Sequence, residues 1–299
     1  VRVLVSGAGG QVGREAVSLL ESRHAARGSS RDRQPIEVIP ADRARLDIGN
    51  RDEVMAAIIT LEPDVVVNLA AFTAVDACES QPDTAFRTNA LGTRHLAEAS
   101  RIVGAHLVTI STDYVFDGTS AQPYMEWDEP RPLSVYGLSK LAGEREAGAG
   151  ATIVRTSWVC GRHGGNAVKT ILRLMGGDGP IRFVDDQHGC PTEARDLAGM
   201  IVELALARRP GVFHVTNQGP TTWYELARSV VDWAGGDMAR VEPIKTADLS
   251  PPRPAVRPAN SVLDNAALRL SGIDLLPDWR QSFRLLVADL VAAAPDPSR

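Results

Sequence analysis

Five short runs of apolar, mostly β-branched residues recur along the chain: VRVLVS (1–6), IEVIPA (36–41), DVVVNLA (64–70), HLVTIST (106–112) and TIVRTSW (152–158). Continuous rather than alternating hydrophobicity marks strands covered on both faces, as in a parallel sheet. Between the runs, segments 11–23, 51–61, 82–104 and 134–147 place apolar residues at helical intervals. This alternation predicts an α/β fold, a Rossmann-type doubly wound parallel sheet over residues 1–160. Beyond it the texture changes. Glycine-rich GRHGGN and MGGDGP precede a helical pattern at 194–208, a strand at 211–216 and another helix at 221–234. A smaller C-terminal lobe over 161–299 is expected, with about 181–208 returning to the first domain. The segment PPRPAVRPANS, 251–261, is too proline-rich for a helix or central strand and predicts an extended loop, and 292–299 reads as a fraying tail.

Composition narrows the ligand. Of 299 residues, 23% are charged and the formal net charge is -5, so there is no basic field for nucleic acid or an acidic membrane. A small molecule is the expected partner. Cys78, Cys160 and Cys190 are odd in number and widely spaced, which argues for neither a disulfide framework nor a zinc site. The chain runs from VRVLVS straight into glycines without a signal-peptide pattern, and no later apolar run approaches the roughly 20 residues that span a bilayer. A cytoplasmic protein is the expectation.

GAGGQVG, 7–13, sits between the first strand and the first helix. In that setting Gly7 serves the tight turn, Gly10 lets backbone approach a pyrophosphate, and Gly13 lets the helix close on the sheet. The helix start then offers free amides to the anion. Asp42, after the second strand, suits the hydroxyls of an adenosine ribose and hence NADH; its neighbour Arg43 suits a 2′-phosphate and hence NADPH. Both coenzymes stay open. Asp47 is placed to approach the adenine edge or to cap the next helix.

Thr112 and Asp113 lie at the end of the fourth strand, where side chains of an α/β sheet meet ligands. Tyr136 and Lys140 follow, one helical turn apart, in a chain whose lysines are only at 140, 169 and 245. Carbonyl reduction needs a hydride on carbon and a proton on oxygen. A phenol with a pKa of about 10 is a reluctant acid, and a nearby ammonium is expected to lower it. A hydroxyl at Thr112 can stabilise the oxygen as charge develops. Tyr136, Lys140 and Thr112 are therefore the candidate catalytic residues.

With GAGGQVG, NLAAFTAVDACE, STDYVFDG, YGLSK, RTSWVCG, DDQHGCPT and RPANS in order, the chain resembles the dTDP-4-dehydrorhamnose reductases, which are extended short-chain dehydrogenases. The resemblance covers nearly the whole length. It implies reduction of the C4 ketone of dTDP-4-dehydro-L-rhamnose by NADPH or NADH. By motif position, Gly10, Gln11 and Val12 would meet the pyrophosphate, Asp42, Asp47 and Ile48 the adenosine, and Ala71, Phe72 and Thr73 the coenzyme from the third strand. Thr112 and Asp113 would contact the sugar, Trp158 would pack on substrate, and Arg257 and Asn260 would face the nucleotide diphosphate.

The chain departs from that pattern in three places. Residues 22–35 lengthen the link to the second strand and predict a mobile surface loop. Cys160 replaces a tyrosine. Some relatives dimerise through magnesium held by glutamates; Glu15 is present here, but Arg195 falls near the second carboxylate's place. A homodimer therefore stands as an expectation without a metal site. Two other readings are compatible with the motifs: a reductase or epimerase of another nucleotide sugar, and a regulatory subunit of the methionine adenosyltransferase type. Intact Thr112, Tyr136 and Lys140 speak against the second.

Overall fold

The computed structural model describes residues 1–27 and 35–293. Its centre is a six-stranded sheet built from β1 (Arg2–Ser6), β2 (Glu37–Ala41), β3 (Val65–Asn68), β4 (His106–Thr112), β5 (Thr152–Thr156) and the strand Gly211–His214. The spatial order is Gly211–His214, β5, β4, β3, β1, β2, with every pairing parallel. The apolar runs are continuous because both faces are covered. Val3, Val5, Val65, Val67, Val108 and Val154 point to one face, with α1 (Gln11–Arg27) and the helix Ala194–Leu206. Leu4, Val66, Leu107 and Ile153 point to the other, with α2 (Arg51–Leu61) and the helix Gly92–Val103. Each such buried side chain contributes about 1.5–3 kcal/mol over an exposed one.

The ends of α2 follow local chemistry. The Asn50 side chain accepts from the amides of Asp52 and Glu53, and Glu62 closes the helix in the left-handed region at φ 43°. Elsewhere the structure corrects the sequence reading. The run 152–158 leaves the sheet at Thr156, and Trp158 takes φ 48°. The first helix continues to Arg27, through part of the loop expected at 22–35; residues 28–34 lie outside the described residues, as does most of the tail expected at 292–299.

The segment 82–104 is not one helix. Pro82–Phe86 runs into a π turn at Arg87–Leu91 before the helix Gly92–Val103. The wide turn carries Asn89 inward, where its amide accepts from the Phe72 N–H and donates to the Phe72 carbonyl and the Ser139 hydroxyl. Gly143, on the helix Val135–Ala147, lies so close that a Cβ there would be 2.2 Å from the Asn89 carbonyl oxygen. The π turn and the tyrosine-bearing helix are locked together by backbone proximity.

The return to the large sheet is also displaced. Ile181–Val184 pairs with Val241–Ile244 outside that sheet, so it is Ala194–His214, not about 181–208, that rejoins it. The apolar face of Ala194–Leu206 explains this, since Leu197, Ala198 and Ile201 are buried with α1. A separate core of Val168, Ile171, Ile181, Leu226, Val230, Trp279 and Phe283 holds the smaller lobe. Residues 251–261 form no helix or strand, and among the described residues no helix is long and apolar enough to cross a membrane.

Replacing Gly143 by alanine should lower stability by about 1–3 kcal/mol through overpacking, read as a drop in the thermal unfolding midpoint. An unchanged midpoint would mean that the π turn can move away at little cost.

Candidate active site

The carboxyl ends of β1, β3, β4 and β5 open into a cleft of about 440 Å³, lined by the glycine turn, Ala71, Thr73, Thr112, Asp113, Tyr136, Lys140 and Trp158. Its floor is set by close packing. Gly7, at φ 69°, accepts a hydrogen bond from the Gly10 amide at 2.9 Å, and a Cβ on Gly7 would lie 2.5 Å from the Ala70 nitrogen. A Cβ on Gly13 would lie 2.2 Å from the Gly7 oxygen. The turn therefore presses α1 onto the sheet and directs its first amides into the cleft. Gln11 leaves this turn to bridge the lobes: its Oε1 accepts from the Asn166 amide at 3.0 Å.

The other candidate coenzyme contacts, Asp42, Arg43, Asp47 and Ile48, are not among the residues lining this cleft. Asp42 Oδ1 accepts from the amides of Ala44 and Arg45, and Arg43 beside it is exposed. Asp47 Oδ1 accepts from the Gly49 amide, while the Ile48 side chain is buried against Gly92. Ile48 thus faces the core rather than the cleft. Phe72 is not a cleft-lining residue, in contrast to its neighbours Ala71 and Thr73; its backbone is instead held by Asn89.

Arg257 and Asn260 are engaged elsewhere. Arg257 makes two 2.8 Å bonds to the Asp76 carboxylate, which holds that acid down at about 2. Asn260 donates to the Ser120 carbonyl at 2.8 Å and accepts from the Val262 amide, pinning its loop. Neither is among the residues lining the cleft. Proline-rich sequence shows a loop, but not which acid or carbonyl its polar residues will meet.

The reactive groups lie deeper. The helix Val135–Ala147 starts on a cap in which the Ser134 hydroxyl accepts from the Gly137 amide. Gly137 lets it approach, since a Cβ there would sit 2.2 Å from the Tyr114 carbonyl oxygen. Tyr136 and Lys140 are thereby delivered to the cleft from one helix face. The Thr112 hydroxyl donates to Asp113 Oδ1 at 2.9 Å and accepts from the Tyr114 amide. Asp113 Oδ2 and Thr156 Oγ1, both buried at the cleft, have no hydrogen-bond partner among the described residues. Thr156 stands beside Thr112 in the β4–β5 register.

Burial governs the ionisation of these groups. It raises the Tyr136 phenol well above its ordinary value, with Asp113 adding to the rise and the Thr112 hydrogen bond acting against it. The principal lowering influence is thus the threonine, not the ammonium that the sequence singled out. Lys140 is itself pushed down to about 8 by burial, opposed by the charge of Glu144 one turn along. Glu144 in turn receives a bidentate Arg155, at 2.9 and 2.7 Å, and the Ser111 hydroxyl. Arg155 leans on His214, whose Nδ1 faces the carbonyls of Tyr124 and Asp264 and therefore carries the proton.

Sequence reasoning did not find Asn89, Glu144, Arg155, Thr156 or Trp223. Glu144 had a usable signal, four positions after Lys140 on the same helix face. Trp223 had none, because only tertiary structure sets its ring on Trp158, with centroids 3.7 Å apart and planes 12° from parallel. As for the metal expectation, Glu193 Oε2 caps a helix by accepting from the Arg195 and Asp196 amides, and Glu15 lies 3.6 Å from His163. No group of three or more metal-ligating side chains occurs among the described residues.

Asp113 generates a pH prediction. Burial raises its carboxyl to about 7, so protonation favours the folded state. That contribution is complete below the unfolded pKa of about 4 and is lost as pH rises through about 7. Asp113→Asn should therefore gain stability relative to the parent between pH 5 and pH 8, by about 2–3 kcal/mol. Urea unfolding at both pH values checks it, and a difference that shrinks with pH would contradict the sign.

Comparison with known proteins finds relatives of similar sequence and fold. A dTDP-4-dehydrorhamnose reductase of Streptomyces griseus is 41% identical over 309 residues, covering 99% of this chain and 97% of the relative. A solved dTDP-4-dehydrorhamnose reductase from Clostridium acetobutylicum superposes with a TM-score of 0.89 at 39% identity, covering 97% of this chain and 99% of that one. Another, from Bacillus anthracis in complex with NADP, gives a TM-score of 0.87 at 36% identity, covering 96% and 98%. The family model described as the RmlD substrate binding domain matches residues 1–292, and the chain belongs to that family.

Proposed function

We propose that this protein reduces the C4 ketone of dTDP-4-dehydro-L-rhamnose to the alcohol of dTDP-L-rhamnose, using NADPH or NADH. The observation that carries the reading is the gathering of Thr112, Asp113, Tyr136 and Lys140 around one cleft beside the glycine turn. The turn fits a dinucleotide, because the space at Gly7 and Gly13 that a side chain would fill is used to bring backbone amides to the cleft. The bound nicotinamide supplies the hydride. The coenzyme seen in the Bacillus anthracis relative and the exposed Arg43 both support NADPH.

Within this reading Tyr136 gives its proton to the ketone oxygen as carbon receives the hydride. Its raised pKa keeps the phenol protonated before reaction, and the Thr112 hydroxyl, which donates to Asp113 Oδ1, would turn its hydrogen to the oxygen as charge builds. Lys140 supplies a buried positive charge beside the coenzyme site, kept ionised at neutral pH with the help of Glu144. Trp158 offers an indole face to the sugar, and residues of the smaller lobe close the substrate side.

Mixing the protein with dTDP-4-dehydrorhamnose, generated in place, and each coenzyme should give loss of reduced-nicotinamide absorbance. Absence of oxidation above background with both coenzymes would leave a nucleotide-binding subunit as the better reading. Tyr136→Phe should reduce kcat by at least about 100-fold while coenzyme affinity is kept. Turnover by the parent should decline as pH rises through about 8, where Lys140 loses its proton. A rate still rising well above that value would detach Lys140's charge from the reaction.

A further inference from the structure

Trp158 occupies an expensive backbone conformation. It sits at φ 48°, a left-handed region that non-glycine residues adopt only when their surroundings hold them there. Three contacts do so. Its carbonyl accepts from the Thr192 amide at 3.3 Å, its indole lies against Gly189, where a Cβ would come within 2.5 Å of the ring, and its face is stacked on Trp223. The first two fix where the residue can be. The third covers a whole face of the ring and so bears most directly on its plane.

Trp223 is well placed for that task. It is the first residue of the helix Trp223–Trp233, whose start is fixed by the Thr222 hydroxyl accepting from the Glu225 amide at 3.1 Å. Thr222 and Thr221 pair with His188 and Gly189, the same short strand against which Trp158 rests. Both indoles are half-buried and both line the cleft with Thr112, Tyr136 and Lys140.

We infer that Trp223 is a positioning residue for the sugar end of the substrate: by stacking on Trp158 it holds that indole in its left-handed setting at the cleft wall. This rests on the reading of Trp158 as a sugar contact. Loss of the stack would let Trp158 relax to an ordinary conformation and turn its ring out of register with the ketosugar. The coenzyme, held by the glycine turn, would be untouched.

The test compares the parent with Trp223→Ala and Trp223→Phe. Circular dichroism of the parent should show an exciton couplet from the Trp158–Trp223 stack, read as the parent-minus-variant difference because the Trp233–Trp279 pair contributes to every spectrum, and lost in both variants. Trp223→Ala should raise KM for dTDP-4-dehydrorhamnose, and Kd for dTDP-L-rhamnose by calorimetry, about tenfold, with kcat changed less than threefold and NADPH affinity unchanged. Trp223→Phe, which keeps an aromatic face, should recover most of that loss. A parent without the couplet overturns the inference, as does an active parent whose KM and Kd are unmoved in Trp223→Ala, or an alanine variant that loses kcat and NADPH affinity equally. A parent that shows the couplet but oxidises no NADPH would instead overturn the reductase reading.

Discussion

A guanidinium and a carboxylate taken out of water together form the most deeply buried ion pair among the described residues. Arg155 on β5 and Glu144 on the helix Val135–Ala147 are both almost fully buried, at 5% and 6% side-chain exposure. Two charges removed from water this far are tolerable only when every donor and acceptor is met. Ser111 on β4, the carbonyl of Glu126 and the ring of His214 meet them. Two central strands, the reactive helix and the strand Gly211–His214 must consequently keep their mutual heights, and Lys140 is held at a fixed depth beside a charge it needs. Loss of one partner from such a pair commonly costs about 3–5 kcal/mol.

Close backbone packing supplies the complementary constraint. At Gly13, Gly137 and Gly143 a neighbouring carbonyl lies where a side chain would begin, at 2.2 Å from each ideal Cβ position. Chain approaches this tight leave a helix little freedom to rotate or slide. The glycine turn and the tyrosine helix are thus positioned by contact as well as by charge. This supports a site whose geometry is set before substrate arrives, the condition under which oriented dipoles stabilise a developing oxyanion without reorganisation.

Much of this was legible in the sequence, for physical reasons that differ from residue to residue. The five apolar runs showed strands because a buried parallel strand has no polar face to reveal alternation. That Tyr136 and Lys140 face one cleft could be read because a helix brings residues four apart together whatever surrounds it. The π turn at Arg87–Leu91 was hidden, since its cause is the demand of Phe72 and Ser139 for the Asn89 side chain, a contact across 17 and 50 residues. Arg257 reads from its motif as a contact for the nucleotide diphosphate, and in the fold it meets Asp76 across 181 residues. Charge shows in sequence, but the partner that neutralises it does not.

The strand Gly211–His214 has a consequence for the kinship of the two lobes. It pairs with β5, so the sheet is completed by chain that has already visited the smaller lobe and come back. A cut after residue 160 would leave β5 as an open edge and strip the helix Ala194–Leu206 from α1, exposing Val3, Leu20 and Ile201. The lobes are interleaved rather than strung in series. Moving the smaller lobe as a unit would therefore require more than one junction in the chain.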